Sequence, residues 1–133
     1  MILLDTHALV WMDADDPALG KASRRLIQQA WEGGRLTVSA VSFWECSMLQ
    51  QRDRLVLPMP PSAWRENLIS AGLREHPLDG AIAVLATQLA LPHKDPADRF
   101  IAATAILHAA TLVTADERLL AWKHPLKRQD ARR

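Results

Sequence analysis

The sequence predicts an α/β fold, a central parallel sheet with helices on both faces, and three observations support that expectation. Short apolar runs of strand length recur along the chain, Ile2-Leu3-Leu4, Leu36-Thr37-Val38 and Thr111-Leu112-Val113. Stretches of helical character separate them, and strands alternating with helices of these lengths go with a parallel sheet. A hydrophobic share of 49% in 133 residues, rich in Ala and Leu, is enough to bury one helix-rich core without disulfides or a structural metal.

The elements follow in order. Ile2-Leu3-Leu4 reads as a buried strand, followed by a helix from about Thr6 to Met12 that Asp15-Asp16-Pro17 ends. Ala18 to Trp31 reads as a second helix, stopped by Gly33-Gly34. The Leu36–Val38 strand leads into a helix from about Ala40 to Gln51. Leu55-Val56-Leu57 is closed at once by Pro58, Pro60 and Pro61 and reads as a connector. Ser62 to Ala71 is helical, with Pro61 just ahead of it. Arg74 to Leu78 suits a short strand that Pro77 confines to an edge or an end. Asp79 to Leu89 is an apolar helix, and another begins at Asp95-Pro96 and runs to about Ala110. The Thr111–Val113 strand follows, with a last short helix starting near Asp116.

Residues 1–133 are expected to form a single domain, with a basic and solvated C-terminal tail from about residue 123, carrying Lys123, Lys127, Arg128, Arg132 and Arg133. The single cysteine, Cys46, permits no disulfide within the chain, which suits a reducing cytoplasm, and reads as a small buried hydrophobe. No segment approaches the roughly 20 consecutive apolar residues of a membrane span. The start, MILLDTHALV, lacks the basic leader of a secretory signal. Net charge is only +1, so composition alone does not announce a nucleic-acid binder.

The acids carry more information. Asp5 follows the first strand directly, Glu45 lies in the helix after the second, Asp98 in the first turn of its helix, and Asp116 just past the Thr111–Val113 strand. Each has a plain structural role open to it. Asp95 suits the helix cap, Pro96 the first helical position, and Asp98 the third, facing the positive end of the dipole. Ser42 with Glu45, and Thr114 with Glu117, fit capping boxes, and Asp5 suits the cap of its own helix. In an open parallel sheet, however, strand carboxyl ends share one edge, where ligands bind. Carboxylates gathered there repel one another unless protonation or a cation relieves them. A cluster of oxygen donors suits Mg²⁺ or Mn²⁺ rather than Zn²⁺, and such ions take substrate phosphates as further ligands. The residues by themselves therefore lead to metal-dependent phosphate chemistry.

Four stretches, ILLDTHALVW, TVSAVSFWECSML, HKDPADRFIAATAILH and TLVTADERLL, together resemble the PIN-domain proteins, specifically the VapC-type toxins of type II toxin–antitoxin systems. They come in that family's order and spacing and span almost the whole chain. The resemblance implies an endoribonuclease that uses Mg²⁺ or Mn²⁺, a tendency to form homodimers, and a VapB-type antitoxin that blocks the site. It matches Asp5, Glu45, Asp98 and Asp116 to the family's four metal-binding acids, with Thr6 and Thr114 as the hydroxyls that orient carboxylates. Asp95 stays a helix cap with a supporting role. Arg99 is expected to brace the site by pairing with a carboxylate. Cys46 and Ser47 depart from the aliphatic residues frequent after the glutamate.

The expected reaction is hydrolysis of an RNA phosphodiester by a metal-activated water, with Asp5 and Asp98 on the principal ion and Glu45 and Asp116 on a second ion or its waters. No side-chain base is then required. His7 reads as a packing or surface residue and His93 as a loop histidine. Trp11 and Trp44 lie near the acids and are placed to stack on bases, although core packing or an interface is the commoner use of tryptophan. Arg24, Arg25, Arg52, Arg54 and the basic tail are the available phosphate contacts. A haloacid-dehalogenase-type phosphotransferase needs an aspartate where His7 stands, and a receiver domain needs a lysine that Val113-Thr114-Ala115 does not supply. The remaining alternative is a non-catalytic PIN-like module that docks a partner protein.

Overall fold

The computed structural model describes residues 1–133. Five strands, β1 (Ile2–Leu4), β2 (Leu36–Ser39), β3 (Arg74–His76), β4 (Thr111–Thr114) and β5 (Arg128–Asp130), form one sheet in the order β3-β2-β1-β4-β5. All four pairings are parallel. Central β1 sets Leu3 opposite Thr37 on one side and Leu112 on the other. The helices are α1 (Thr6–Asp13), α2 (Lys21–Glu32), α3 (Ala40–Gln51), α4 (Pro61–Ser70), α5 (Gly80–Gln88), α6 (Pro96–Leu107) and α7 (Glu117–Ala121).

The strand side chains alternate between two cores, as a pleated strand requires. Ile2 and Leu4 of β1, with Leu36, Val38 and Val113, pack against Leu9, Ile27 and Trp64 of α1, α2 and α4. Leu3 and Leu112 face the opposite way, onto Ile101, Ala102 and Ala105 of α6 and Leu119 of α7. A smaller group joins Ile82 and Ala86 of α5 to Ala103 of α6. The three central strands β1, β2 and β4 are buried and mostly apolar because both faces are covered, whereas the edge strands β3 and β5 are polar. Cys46 is buried in the first core, where burial pushes its thiol up to about 12.

Helix boundaries follow local chemistry. The second helix starts at Lys21 rather than Ala18, because the Asp16 side chain accepts from the Ala18 N–H and holds a turn ahead of it. It ends at Gly33-Gly34, where Gly34 takes a φ of 66° that other residues resist. Pro61 is the first residue of α4 and not its predecessor, as a missing N–H at that position permits. Residues 55–57 are a connector, and β3 is an edge strand with Pro77 just beyond it.

The C-terminal segment differs most from its sequence expectation. Residues 128–130 are not a solvated tail but a fifth strand on the open edge of β4. Arg128 turns its guanidinium inward, donating to the carbonyls of Leu119, Trp122 and His124 at 2.6–2.7 Å. Composition shows the positive charge of this segment but not where its donors go.

Beyond β5 the chain packs on the start of α2. Gly20 N–H donates to Ala131 O at 2.8 Å and Ser23 N–H to Arg133 O at 2.9 Å. A Cβ on Gly20 would lie 2.1–2.4 Å from Arg133 backbone atoms. Gly20→Ala is therefore expected to cost about 1–3 kcal/mol, read as a lowered urea midpoint. A midpoint equal to wild type would mean the terminal residues yield freely.

Candidate active site

The order β3-β2-β1-β4-β5 reverses direction between β1 and β4, and the crevice at such a switch point opens at the strand carboxyl ends. Asp5 leaves the end of β1 there, and Thr114 ends β4 beside it. Asp5 caps α1, accepting from the Ala8 N–H at 3.1 Å through Oδ1, while its Oδ2 accepts from the Thr114 hydroxyl. Thr114 is fully buried and its Oγ1 also accepts from the Asp116 N–H at 3.1 Å. One hydroxyl thus ties the first acid to the loop that carries the fourth.

Asp116, not Thr114, is the cap of α7, accepting from the Arg118 and Leu119 N–H groups at 2.9 and 3.1 Å. The capping box read from Thr114 and Glu117 gives way to this arrangement, which frees Thr114 to serve Asp5. Ser42 is likewise no cap. Ser39 caps α3, and Ser42 lies one turn inside it, its hydroxyl buried 3.0 Å from Thr6 Oγ1. Thr6 donates its single proton to Glu45, so Ser42 must donate to Thr6. Ser42 is a supporting residue that its sequence position, resembling a cap, concealed.

Asp98 stands in the first turn of α6, whose cap is Asp95, accepting from the Ala97 N–H at 3.0 Å. Asp5, Asp98 and Asp116 therefore all occupy helix N-termini, where the positive dipole ends offset part of their repulsion. The offset is incomplete. Burial raises the Asp5 carboxyl above its usual range against the bonds from Thr114 and Ala8. Glu45 is raised by burial too, with Thr6 opposing. Asp98 is pushed up to about 6, by burial first and then by the neighbouring Asp95 carboxylate. At Asp116 burial acts upward, but the Leu119 N–H and His93 outweigh it and hold that carboxyl below its usual value. No Arg or Lys lies within ion-pair distance of any of the four acids.

His93 lies in the loop before α6, as its sequence position suggests, but it is buried there. Only 2% of it is exposed, and its Nε2 lies 3.1 Å from Asp116 Oδ2. Atoms of His93, Asp98 and Asp116 lie within 4.8 Å of one another, which puts the two carboxylates within reach of one ion. Asp95, Glu45 and Asp116 all add negative charge around Asp98. The donor set still suits a hard divalent ion, since carboxylate oxygens dominate it and carry uncompensated charge.

Arg99 braces the site through carbonyls and not, as expected, through a carboxylate. Its guanidinium donates to the carbonyl oxygens of Ala86, Leu89, Leu91 and His93 at 2.6–3.1 Å, closing the C-terminal end of α5 and the loop after it. His7 is exposed on α1, near the edge of the Trp11 ring. Trp11 is partly buried against the core, but Trp44 is 59% exposed beside Glu45, on a groove it shares with Leu78, Pro96 and Phe100.

Comparison with known proteins identifies the family and the fold. The PIN domain family model matches residues 2–124. The chain is 39% identical over 129 residues to Ribonuclease VapC22 of Mycobacterium tuberculosis (strain ATCC 25618 / H37Rv), covering 93% of each. Among solved structures it resembles a chain of VapBC2 from Rickettsia felis bound to a DNA fragment from their promoter, with a TM-score of 0.68 and 16% identity over 98% of this chain and 100% of that one. A toxin–antitoxin complex from Klebsiella pneumoniae gives a TM-score of 0.58 and 20% identity over 92% and 93%. At these identities the structural likenesses speak for a shared fold.

Proposed function

Because this chain belongs to the PIN-domain family, we propose that it is a metal-dependent endoribonuclease, the toxin of a VapBC-type toxin–antitoxin pair, acting on RNA phosphodiester bonds. The observation that carries the reading is the convergence of Asp5, Glu45, Asp98 and Asp116 with no Arg or Lys paired to them. Residues 1–133 work as one domain, β5 included. The activity belongs in the cytoplasm, and no helix is long and apolar enough to cross a membrane.

The four carboxylates would hold Mg²⁺ or Mn²⁺, with Asp98 and Asp116 contributing atoms within a single ion's reach. A bound ion of this kind lowers the pKa of its water and offsets charge developing on a phosphate. The chain does the positioning. Thr114 and the Ala8 N–H fix the Asp5 carboxylate, Thr6 fixes Glu45, and the first turn of α7 fixes Asp116. Asp95 sets the start of α6 and hence where Asp98 points. Trp44, exposed next to Glu45, is available to stack on a base, which contributes about 1–3 kcal/mol per base where it occurs.

A VapB-type antitoxin suits the same charge pattern, since an arginine guanidinium answers unneutralised carboxylates. A homodimer is the assembly we expect for the free toxin.

The test is cleavage of a total-RNA pool by the purified protein in Mn²⁺, in Mg²⁺ and in EDTA. We expect discrete products with either metal and none in EDTA, weakening as salt rises because phosphate contacts by Lys and Arg release counterions on binding. Cleavage that persists in EDTA would overturn the metal reading. Absence of both cleavage and Mn²⁺ binding would favour the partner-docking module instead.

A further inference from the structure

We infer that His93 is a positioning residue for the metal centre: its Nε2–H fixes the Asp116 carboxylate, which lies within a single ion's reach of Asp98. The inference rests on the proposed metal-dependent reading of the acids and adds a residue to it.

The ring is held from both ends. Arg99 donates to the His93 carbonyl at 3.1 Å while its other donors close the carbonyls of Ala86, Leu89 and Leu91, so the backbone that carries the ring is immobilised. At the other end Nε2 lies 3.1 Å from Asp116 Oδ2. Nδ1 is buried and meets no hydrogen-bond partner. A proton on Nδ1 would be a buried donor with nothing to receive it, whereas a proton on Nε2 meets a carboxylate. The tautomer is therefore assigned as Nε2–H. In that form the nitrogen facing the cluster has no lone pair for a cation, and the ring acts on the ion only through Asp116.

Asp116 needs such a restraint. Its Oδ1 already accepts from the Arg118 and Leu119 N–H groups, which leaves Oδ2 with His93 as its one side-chain partner. Together these bonds remove the rotational freedom of the carboxylate about its last torsion. A ligand so held loses less freedom when an ion binds, and loss of a partner of this kind typically weakens metal binding about 10–100-fold.

Two measurements test this on the full chain. In the metal-free wild type, long-range ¹H–¹⁵N spectra of the imidazoles should report His93 as the Nε2–H tautomer. An Nδ1–H ring would overturn the inference, and this readout needs no variant. Mn²⁺ titration calorimetry then compares wild type, His93→Phe and His93→Gln. Phe fills the buried space and removes only the one useful donor, since Nδ1 has no partner to lose. Gln restores an N–H near the position of Nε2.

We expect Phe to weaken Mn²⁺ binding about 10–100-fold, and Gln to recover most of that loss while all three proteins melt cooperatively. Equal affinity for wild type and the Phe variant would overturn the inference and leave the metal reading standing. A loss that Gln does not repair would also overturn it, because packing rather than donation would then be the cause. A wild type that binds no Mn²⁺ would overturn the metal reading, and this inference with it.

Discussion

Asp98→Asn is expected to abolish metal-dependent RNA cleavage and, in the same protein, to stabilise the metal-free fold. The two effects have one cause. Asp98 carries its charge in a half-buried cleft beside Asp95, Glu45 and Asp116, which pushes its carboxyl from the ordinary 3.8 up to about 6. That charge is the source of attraction for a cation, and removing it should lower the cleavage rate at least about a hundredfold.

Without metal the same charge is a liability. Between about pH 4 and pH 6 the folded chain keeps the Asp98 proton while the unfolded chain has released it, so stability falls as pH rises through that window. Asparagine carries no charge and removes the Asp98 share of the slope. Above pH 6 the variant should be the more stable by about 1–2 kcal/mol, a figure reduced for solvent screening at this half-open position. Urea unfolding in EDTA at pH 4 and pH 7 measures it. A variant no more stable than wild type at pH 7 would mean that Asp98 is not under strain from its neighbours. With saturating Mn²⁺ the order should reverse, because an ion that binds only the folded wild type stabilises it by mass action.

Trp64→Ala should be the most damaging single change to the fold itself. Trp64 on α4 is 1% exposed and is the largest fully buried side chain. It meets the edge of Phe43 with ring centroids 5.8 Å apart at 79°, and its indole N–H donates to Asp13 Oδ2 at 2.9 Å. Truncation to alanine leaves a void between α4, α3 and α1, with an expected cost of about 3–5 kcal/mol. That is a large share of the roughly 5–15 kcal/mol that holds a domain together. Trp64→Phe separates the contributions. It keeps most of the apolar area and loses the N–H bond, whose partner Asp13 is exposed and reverts to water, so it should cost well under half as much. Denaturant midpoints at unchanged slope read both values. An alanine variant within about 1 kcal/mol of wild type would show that the cluster collapses onto the gap.

Much of the fold was legible in the chain because its signals are local. Ile2-Leu3-Leu4, Leu36-Thr37-Val38 and Thr111-Leu112-Val113 are strands by composition alone, and the Gly33-Gly34 stop and the Asp95-Pro96 start depend on backbone chemistry that neighbouring residues dictate. The four acids were legible for a related reason: each sits at or near a strand end or helix start, and a parallel sheet brings those places to one edge.

What the chain did not disclose is the destination of side chains whose partners are remote in sequence. Thr114 fits a cap by its local spacing and an orienting hydroxyl by resemblance, and it is the second role it takes, on Asp5 109 residues away, while Ser42 reads as a cap and instead meets Thr6. Arg128 reads as part of a charged tail, yet its donors are spent on three carbonyls beneath a fifth strand. His93 reads as a loop residue and is one, but its burial against Asp116 appears only in the folded chain. The sequence by itself determined the α/β class, the order of the elements and the convergence of Asp5, Glu45, Asp98 and Asp116, since propensity, caps and topology act over a few residues or follow from chain order. Only the tertiary structure decided which acid each hydroxyl serves, that an imidazole joins them and that the guanidinium of Arg99 braces carbonyls instead, because a hydrogen-bond donor's choice of acceptor depends on distances of a few ångströms that no spacing along the chain encodes.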